Sequence, residues 1–341
     1  MTPIDLRSDT VTRPSSAMRR AMVEAEVGDD VLDRDPTTQR LEARVAELLG
    51  MDDALFFPSG TQANQTGIAL LTRPGTELLV ESDAHLVHYE LAGVAANWGV
   101  QIRPIATPDG LLTGAVLRGA LRAASPHVPR AGAAAVENTH NAAGGKVMAP
   151  EVMAGIVAAA GAAGLPLHLD GARLWNAATA LGVPVARLAS GAATVMVSFS
   201  KGLGCPVGSC LAFRAAERSR AWEIRKRLGG GMRQSGILAA AALWALDHNL
   251  ARLQDDHLHA RLLADLLADC AALRPVPPES NIVMVDLVRE RDTAEAVASK
   301  LAQAGLLVVP FGARRLRAVT HLDVGHEDIE RAAQIVARAL A

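Results

Sequence analysis

The sequence predicts an α/β fold in which a mostly parallel central sheet flanked by helices is followed by a small C-terminal α+β domain. Helix and strand patterns alternate from about residue 36 onward, which is typical of parallel sheets. The strand-like runs are short, apolar and rich in β-branched or small residues, as expected for strands buried on both faces. The chain has 341 residues, and chains longer than about 250–300 residues usually divide their core between domains.

The first clear helix begins at Asp35 and Pro36. Aspartate is a favoured N-cap residue, and proline suits the first helical position. Leucine and valine at positions 41, 45, 48 and 49 form one apolar face, and Gly50 ends the helix. A turn, PSGTQAN (58–64), precedes a second apolar helix. The strands predicted for this part are ALFF (54–57), ELLVES (77–82), AAAVEN (133–138), LPLHLD (165–170), TVMVSFS (194–200) and GSCLAF (208–213).

The pattern changes after the three glycines at 229–231. A long helical stretch runs from about Ser235 to Ala272, with an interruption near Asn249. The later elements predicted are a strand NIVMVDL (281–287), a helix (293–304), strands LLVVPF (306–311) and RAVTHLDV (317–324), and a closing helix (326–340). We therefore divide the chain into a large domain with an N-terminal arm (1–234), linking helices (235–272) and a small C-terminal domain (273–341).

The composition is that of a soluble globular protein. The net charge of −2 argues against nucleic acid as a partner, because phosphate binding needs a clustered basic surface. The opening MTPIDLRSDT contains charges and a proline, unlike a signal peptide, and no apolar run is long enough to span a bilayer comfortably. The three cysteines lack CxxC spacing, which indicates reduced thiols. We expect a cytoplasmic protein that binds neither nucleic acid nor membrane.

Lys201 lies in SFSKGLGCPVGS, directly after a predicted strand and before a glycine-rich turn. In the simplest interpretation it is a solvated loop lysine. The glycines at 202, 204 and 208 allow backbone and ligand to approach closely, and a lysine with a lowered pKa can form a Schiff base with an aldehyde. The spacing GxGxxxG does not match a dinucleotide-binding fingerprint. Lys201 is therefore a candidate catalytic residue.

Two further candidates lie at or after the ends of predicted strands. Asp170, in HLDGAR, lies where α/β folds place ligand contacts, although a helix cap is the alternative. In PSGTQAN, Gly60, Thr61 and Gln62 would present N–H groups and a hydroxyl at a helix N-terminus, where a phosphate can bind. A lysine, an aspartate that can keep a pyridine nitrogen protonated, and a phosphate site together indicate pyridoxal 5'-phosphate (PLP). No residue is predicted to bind a metal, since the histidines lack ligand spacing.

Several longer runs are specific enough to compare with a known family. They are DLRSDTVTRP (5–14), VGDDV (27–31), PSGTQAN (58–64), DAHLVHYE (83–90), ENTHN (137–141), GGKV (144–147), HLDGARLWNA (168–177), SFSKGLGCPVGS (198–209), GGGMRQSGILAAA (229–241) and VTHLDV (319–324). In these runs the chain closely resembles the low-specificity L-threonine aldolases, PLP enzymes of the aspartate-aminotransferase fold type (fold type I). The resemblance covers nearly the whole length.

The resemblance implies a role for each candidate. Lys201 would hold the cofactor as a Schiff base, and Asp170 would pair with its ring nitrogen. His85 would stack on the cofactor ring near the bond that breaks. His127 matches a family histidine near the substrate hydroxyl. The base that removes the β-hydroxyl proton stays open between His85, His127 and a water molecule held between them.

The remaining roles concern anions and assembly. Arg173 and Arg317 would bind the substrate carboxylate, with Arg173 also meeting cofactor oxygens and Ser8 nearby, because a guanidinium binds a carboxylate through two parallel hydrogen bonds. Lys226 and Arg233 flank the triple glycine and would reach the partner subunit's cofactor phosphate. A solvated basic helix end is the alternative for these two residues. We expect a homodimer or homotetramer with shared active sites.

The implied reaction is the reversible retro-aldol cleavage of L-threonine, L-allo-threonine and related β-hydroxy-α-amino acids to glycine and an aldehyde. The nearest alternatives are a β-eliminating lyase and an aminotransferase on the same fold. A non-catalytic PLP-binding module, such as the sensor half of a transcription regulator, would bring extra basic charge, against the net charge of −2.

One position departs from the family pattern. After VGDDV the family usually continues with a tyrosine, whereas this chain has Leu32 and Asp33. We expect this position near the site entrance or a subunit contact. The difference leaves the reaction class unchanged, but it would favour bulkier or more apolar β-substituents, such as the phenyl group of phenylserine.

Replacing Lys201 with alanine tests the assignment of the cofactor lysine. We expect Lys201→Ala to abolish both the visible absorption of the lysine-bound cofactor and the retro-aldol activity, because the same amine is required for both. Absorption spectra of the PLP-treated protein and an aldehyde assay measure the two effects. Turnover at the wild-type rate would contradict the assignment.

Overall fold

The computed structural model describes residues 2–340. Over that range the strands form sheets of seven, four and two strands. The strands are β1 (Ile4–Asp5), β2 (Asp53–Phe57), β3 (Glu77–Glu81), β4 (Gln101–Ile105), β5 (Ala131–Glu137), β6 (Leu167–Gly171), β7 (Thr194–Ser198), β8 (Ser209–Phe213), β9 (Leu273–Pro275), β10 (Ile282–Leu287), β11 (Leu306–Leu307), β12 (Val309–Pro310) and β13 (Arg315–Val319).

Fourteen α-helices connect and cover these strands in the described range. They are α1 (Ser16–Val23), α2 (Pro36–Leu49), α3 (Gly60–Leu71), α4 (His85–His88), α5 (Gly93–Trp98), α6 (Gly114–Ala120), α7 (Pro150–Ala162), α8 (Leu174–Leu181), α9 (Val185–Ala189), α10 (Arg218–Arg227), α11 (Gly236–His248), α12 (Leu253–Ala268), α13 (Ala294–Gln303) and α14 (His326–Leu340). Of the helices in residues 2–340, none is long and apolar enough to cross a membrane.

The seven-stranded sheet has the order β2-β8-β7-β6-β5-β3-β4. Its neighbouring strands are parallel except where β8 pairs with β2 and β7. Strands β3, β6, β7 and β8 are buried along their whole length, as expected for a sheet covered by helices on both faces. The predicted mostly parallel sheet is confirmed.

Strand β4 has no counterpart among the predicted strands. It forms one edge of the sheet, and its sequence QIRPI is buried only at Ile105. Pro104 is tolerated there because an edge strand does not need every N–H for pairing. The continuous apolar pattern that indicates a buried strand is therefore absent from this edge strand.

Local signals set both ends of α2. The carboxylate of Asp35 accepts a hydrogen bond from Thr38 N at 2.9 Å, and Pro36 occupies the first turn. Gly50 ends the helix in the left-handed conformation, with φ of 65°. The predicted helix is confirmed, and so is the interruption near Asn249, which lies between α11 and α12.

The four-stranded antiparallel sheet, in the order β12-β13-β10-β9, belongs to a second hydrophobic core with α12, α13 and α14. The N-terminal arm joins this core, since β1 pairs in parallel with β11 and the side chains of Ile4 and Leu6 are buried there. The domain boundaries at residues 234 and 272 stay a prediction. The arm packs with the smaller core although it precedes the large sheet in sequence.

Two predicted strands of this part differ in the structure. The run 306–311 divides into β11 and β12, which pair with β1 and β13 in separate sheets. The second predicted strand, 317–324, extends too far, because β13 ends at Val319. Thr320 then donates its hydroxyl to the carbonyl of Asp256 at 2.6 Å, and Val324 N bonds to the carbonyl of His321 at 3.0 Å. The strand therefore ends at Val319, where a contact with α12 and then a local turn replace the strand pairing.

The carboxyl ends of β2, β3, β5, β6 and β7 lie at one edge of the large sheet. Strand β2 is antiparallel to β8, which is antiparallel to β7, so β2 and β7 run in the same direction. The ends of these strands and the segments that follow them carry Asp170, Arg173, Lys201, His85 and residues 60–62. This edge is where ligands bind in open α/β sheets.

Candidate active site

Lys201 follows β7 in a tight turn. Its carbonyl accepts hydrogen bonds from Thr12 Oγ1 at 3.0 Å and from Gly204 N at 2.8 Å. Gly204 has a φ of 75°, and a Cβ there would lie 2.5 Å from the side chain of Leu322, so the turn requires glycine. Burial and the neighbouring Arg173 lower the pKa of Lys201 despite nearby carboxylates. The turn thus presents an amine that loses its proton more readily than an exposed lysine.

Asp170 is buried near the end of β6, and its carboxylate is fixed on both sides. Its Oδ2 accepts from Asn64 Nδ2 at 2.8 Å, and its Oδ1 accepts from Ala172 N at 3.1 Å. Asn64 Oδ1 lies 3.0 Å from His168 Nε2, and His168 Nδ1 lies 2.9 Å from Thr194 Oγ1. Burial lowers the pKa of His168 to about 4, so its ring is neutral near pH 7.

His85 begins α4 beside Asp170. Its backbone N donates to Glu137 Oε2 at 2.8 Å, and its Nδ1 lies 3.2 Å from Glu90 Oε1. The ring stacks on Tyr89 with 5.4 Å between centroids. Burial lowers the pKa of His85, but the hydrogen bond to Glu90 and the charges of Asp170 and Glu137 outweigh it and raise the pKa above its ordinary value.

Arg173 and Arg317 converge on one oxygen. Arg173 donates from Nε and Nη2 to the two oxygens of Asp9, both at 2.7 Å. Its Nη1 and the Nη1 of Arg317 both donate to Asn141 Oδ1, at 3.2 and 3.0 Å. Burial raises the pKa of Asp9, but the charge and hydrogen bonds of Arg173 lower it to about 2. Arg317 Nε is buried without a partner within residues 2–340.

The first turn of α3 contains Gly60, Thr61 and Gln62. Ser59 caps this helix and accepts from Gln62 N at 3.2 Å. A Cβ on Gly60 would lie 3.5 Å from Ser209 Oγ, which is buried and has no hydrogen-bond partner in the described part of the chain. Backbone N–H groups and a hydroxyl without a partner therefore meet at this helix end, as an anion site requires.

The other predicted anion-binding residues are Ser8, Lys226 and Arg233. Ser8 directly precedes Asp9, and its Oγ accepts from Thr10 N at 3.2 Å. Lys226 is exposed at the end of α10, and Arg233 pairs with Asp29 at 3.2 Å with its side chain half exposed. The structure does not bring Lys226 and Arg233 to Lys201 within one chain, so their contact with a partner subunit stays a prediction.

His127 is not brought to the site within one chain. It lies exposed in the loop before β5, where its backbone N donates to Ser125 Oγ at 3.2 Å. That loop is at the amino end of β5, whereas Lys201 and Asp170 lie at the carboxyl ends of their strands. The predicted role of His127 stays a prediction, and the geometry of a single chain gives it no support.

Several residues of the site received no individual role from the sequence, and four of them contribute side chains that hydrogen-bond to those of Asp170, His85, Arg173 or Arg317. They are Asp9, Asn64, Glu90 and Asn141, and each is buried or half-buried with a hydrogen bond to a predicted site residue. Each belongs to one of the specific runs used to compare the chain with a family. Their occurrence in those runs is the sequence feature that could have identified them as site residues. Their contacts depend on side chains far apart in sequence.

The fold and the site together define a class of protein, the fold-type-I PLP-dependent enzymes. Solved structures share the fold over the whole chain. A threonine aldolase from Leishmania major matches with a TM-score of 0.84 and 21% identity, covering 99% of this chain and 100% of that one. A putative aromatic amino acid beta-eliminating lyase/threonine aldolase from Exiguobacterium sp. 255-15 matches with a TM-score of 0.83 and 21% identity, covering 99% and 97%. The predicted fold class is confirmed.

Sequence comparison identifies the family within this class. The beta-eliminating lyase family model matches residues 5–290. A probable low-specificity L-threonine aldolase 2 from Arabidopsis thaliana is 41% identical over 334 residues, which cover 96% of this chain and 94% of that protein. A low specificity L-threonine aldolase from Escherichia coli O157:H7 is 40% identical over 331 residues, covering 97% of each. The chain therefore belongs to the low-specificity L-threonine aldolase family, as the resemblance implied.

The neutral ring of His168 predicts a specific pH dependence of stability. Between pH 6.5 and about 4 the unfolded chain protonates this histidine while the folded chain does not. The free energy of unfolding therefore falls as the pH drops through this window, by about 1.4 kcal/mol per pH unit for one proton. Urea unfolding of wild type and His168→Gln at several pH values measures the difference. Identical pH slopes for the two proteins would contradict the assignment.

Proposed function

We propose that this protein uses PLP to cleave β-hydroxy-α-amino acids, including L-threonine and L-allo-threonine, into glycine and an aldehyde in a reversible reaction. The observation that carries the proposal is the convergence of Lys201, Asp170 and the arginines 173 and 317 at one edge of the sheet. The names of the relatives in Arabidopsis thaliana and Escherichia coli support the same reaction.

The residues at this edge fit PLP. Lys201 would hold the cofactor through its amine, whose lowered pKa favours the neutral, nucleophilic form. Asp170 would keep the ring nitrogen protonated, and the first turn of α3 with Ser209 Oγ would bind the phosphate. When bound, PLP supplies an electron sink for the electron pair of the Cα–Cβ bond as it breaks.

The two arginines would orient the substrate carboxylate. Two donors of Arg173 are committed to Asp9, so Arg173 offers Nη1, while Arg317 offers Nη1 and its unpaired Nε. A substrate carboxylate near Asn141 Oδ1 would receive hydrogen bonds from both guanidiniums. Ser8 would add its hydroxyl. Fixing the carboxylate determines which bond at Cα lies perpendicular to the cofactor ring.

His85 is the candidate base that the geometry of one chain supports. Its Nδ1 faces Glu90, which leaves Nε2 to take the β-hydroxyl proton. A general base of this kind contributes roughly 10²–10⁴-fold to the rate. His127, or a water molecule between the two histidines, is the alternative, and His127 would then come from a partner subunit because it lies at the opposite edge of the sheet in its own chain.

Assembly and location are part of the proposal. A homodimer or homotetramer would bring Lys226 and Arg233 of one subunit, both exposed here, to the partner's cofactor phosphate. A cytoplasmic location is supported by the cysteines, which form no disulfide in the described residues; Cys205 and Cys210 are buried as free thiols. Burial raises the pKa of both thiols, so they are expected to be unreactive.

β-Elimination is the second candidate, because the matching family model is described as a beta-eliminating lyase. The products distinguish the two reactions. We expect purified, PLP-loaded protein to release glycine and acetaldehyde in equal amounts from L-threonine or L-allo-threonine. Chromatography of the amino acids with an enzymatic aldehyde assay measures both products. A keto acid and ammonia without glycine would instead establish elimination and refute the proposal.

Leu32 provides a prediction about substrate preference. Its side chain is 75% exposed, which is compatible with the site entrance or a subunit contact. We expect Leu32→Tyr to shift the ratio of kcat/KM for threonine over phenylserine toward threonine by about fivefold, which is the lower end of the ~1–3 kcal/mol that a change in apolar contact contributes to discrimination, because the side chain is largely exposed. Steady-state kinetics with both substrates measure the ratio. An unchanged ratio would refute a role for this position.

A further inference from the structure

Glu90 is a buried carboxylate that the proposed chemistry does not yet use. Its side chain has no exposed surface, so it needs strong partners to remain charged. Glu90 Oε1 accepts from Asn64 Nδ2 at 2.9 Å and lies 3.2 Å from His85 Nδ1. Glu90 Oε2 accepts from Gln65 Nε2 at 2.7 Å. Both oxygens are therefore held by side chains from α3 and α4.

The backbone after Glu90 indicates that its position is constrained. Leu91 and Ala92 are consecutive non-glycine residues in the left-handed region, with φ of 50° and 57°. Gly93 N donates to the carbonyl of Glu90 at 2.8 Å, and a Cβ on Gly93 would lie 3.0 Å from the amide of Gln65. The chain turns in an unfavourable conformation here, and the turn keeps Glu90 against its partners.

The chemistry of the contact fixes the His85 tautomer. A carboxylate can only accept hydrogen bonds, so the Nδ1 atom facing Glu90 carries the hydrogen. In the neutral ring Nε2 then has the lone pair. The charged groups facing the ring are Glu90, Asp170 and Glu137, and Tyr89 stacks on it. Burial lowers the pKa of His85, but these carboxylates outweigh burial and raise it.

Asn64 connects Glu90 to Asp170. Its Nδ2 donates to Asp170 Oδ2 at 2.8 Å and to Glu90 Oε1 at 2.9 Å, while its Oδ1 faces His168 Nε2. A flipped amide would place its oxygen against two carboxylates, so this orientation is the only one that satisfies all three contacts. The ligand atoms of His85, Glu90 and Asp170 lie within 4.8 Å of one another. One amide therefore separates two like charges at short range.

We propose that Glu90 is a positioning residue: it holds the His85 ring in the tautomer with Nε2 available, and Asn64 couples it to Asp170. The role rests on the proposed function of His85. His85 and Asp170 are thereby fixed by one hydrogen-bond network. Loss of the Glu90 charge changes the basicity of His85 as well as its orientation.

The first test measures the pKa of His85 directly. Histidine ring signals of the full chain are titrated by NMR with and without PLP, and His85→Asn assigns the signal. We expect Glu90→Gln to lower the pKa of His85 by about one unit or more, since an adjacent carboxylate typically shifts a partner by about 1–3 units. Glu90→Asp keeps the negative charge, so we expect it to lower the pKa of His85 by less than Glu90→Gln does.

A matched control comes from Glu42, another buried carboxylate, which pairs with Arg218 away from His85. Glu42→Gln removes a buried charge of the same kind, and it is expected to leave the pKa of His85 unchanged. An equal shift in Glu42→Gln and Glu90→Gln would show a general effect of lost stability and would overturn the proposal.

The second test uses kinetics. In Glu90→Gln the acidic limb of kcat/KM against pH should move to lower pH with the pKa of His85, and kcat should fall about tenfold or more. In a His85→Asn background the same substitution should have no further effect on kcat, because Glu90 acts through His85. The proposal would be overturned if Glu90→Gln lowered kcat equally in the wild-type and His85→Asn proteins, or if it left the pKa of His85 unchanged.

If Glu90→Gln does not fold, Glu90→Asp replaces it in both backgrounds. We then expect smaller decreases in the pKa of His85 and in kcat. The proposed function and the proposed role of Glu90 can be refuted independently. Wild-type protein that releases no glycine from any β-hydroxy-α-amino acid would refute the proposed function, whereas the NMR titration would still decide whether Glu90 controls the His85 ring.

Discussion

The ion pair between Asp9 and Arg173 joins three parts of the chain that are distant in sequence. Asp9 follows the N-terminal strand, Arg173 follows β6 of the large sheet, and Asn281 of the small domain donates to the same carboxylate at 3.2 Å. The pair is almost completely buried, so its geometry must offset the cost of removing two charges from water. Removing one partner from such a pair typically costs about 3–5 kcal/mol. The N-terminal arm, the seven-stranded sheet and the segment that leads into β10 thus meet at the site through one interaction.

The same ion pair also determines which positively charged groups of the site remain free to bind ligands. Arg173 contributes two of its donors to Asp9, and it lowers the pKa of both Lys201 and Arg317 in addition to the effect of burial. Lys201 is therefore less basic than an exposed lysine, and Arg317 has a buried Nε without a partner within residues 2–340. This distribution of charge favours anionic ligands, as the phosphate of the proposed cofactor and the carboxylate of the proposed substrate would be.

Much of this arrangement could be predicted from the sequence, because it depends on local patterns. The interior strands have continuous apolar runs, α2 has a cap at each end, and Asp170 and Lys201 lie at or just after the carboxyl ends of strands. Strand β4 lacked such a signal because an edge strand is half-exposed and accommodates Pro104. The contacts of Asn64 with Glu90 and Asp170 join residues 26 and 106 positions apart. No local pattern encodes such contacts; they follow from the order of strands in the sheet.

The pairing of β1 with β11 has a consequence for how the protein is made. Ile4 lies opposite Leu306, so the first strand has no partner until nearly the whole chain has left the ribosome. At about 5–20 residues per second the wait is roughly 15–60 s. Arg173 emerges about halfway through that interval, which allows Asp9 to anchor the arm before its strand partner exists. Until β11 is made, the backbone N–H and C=O groups of Ile4 and Asp5 lack their strand partner, a hazard that unpaired strand edges share.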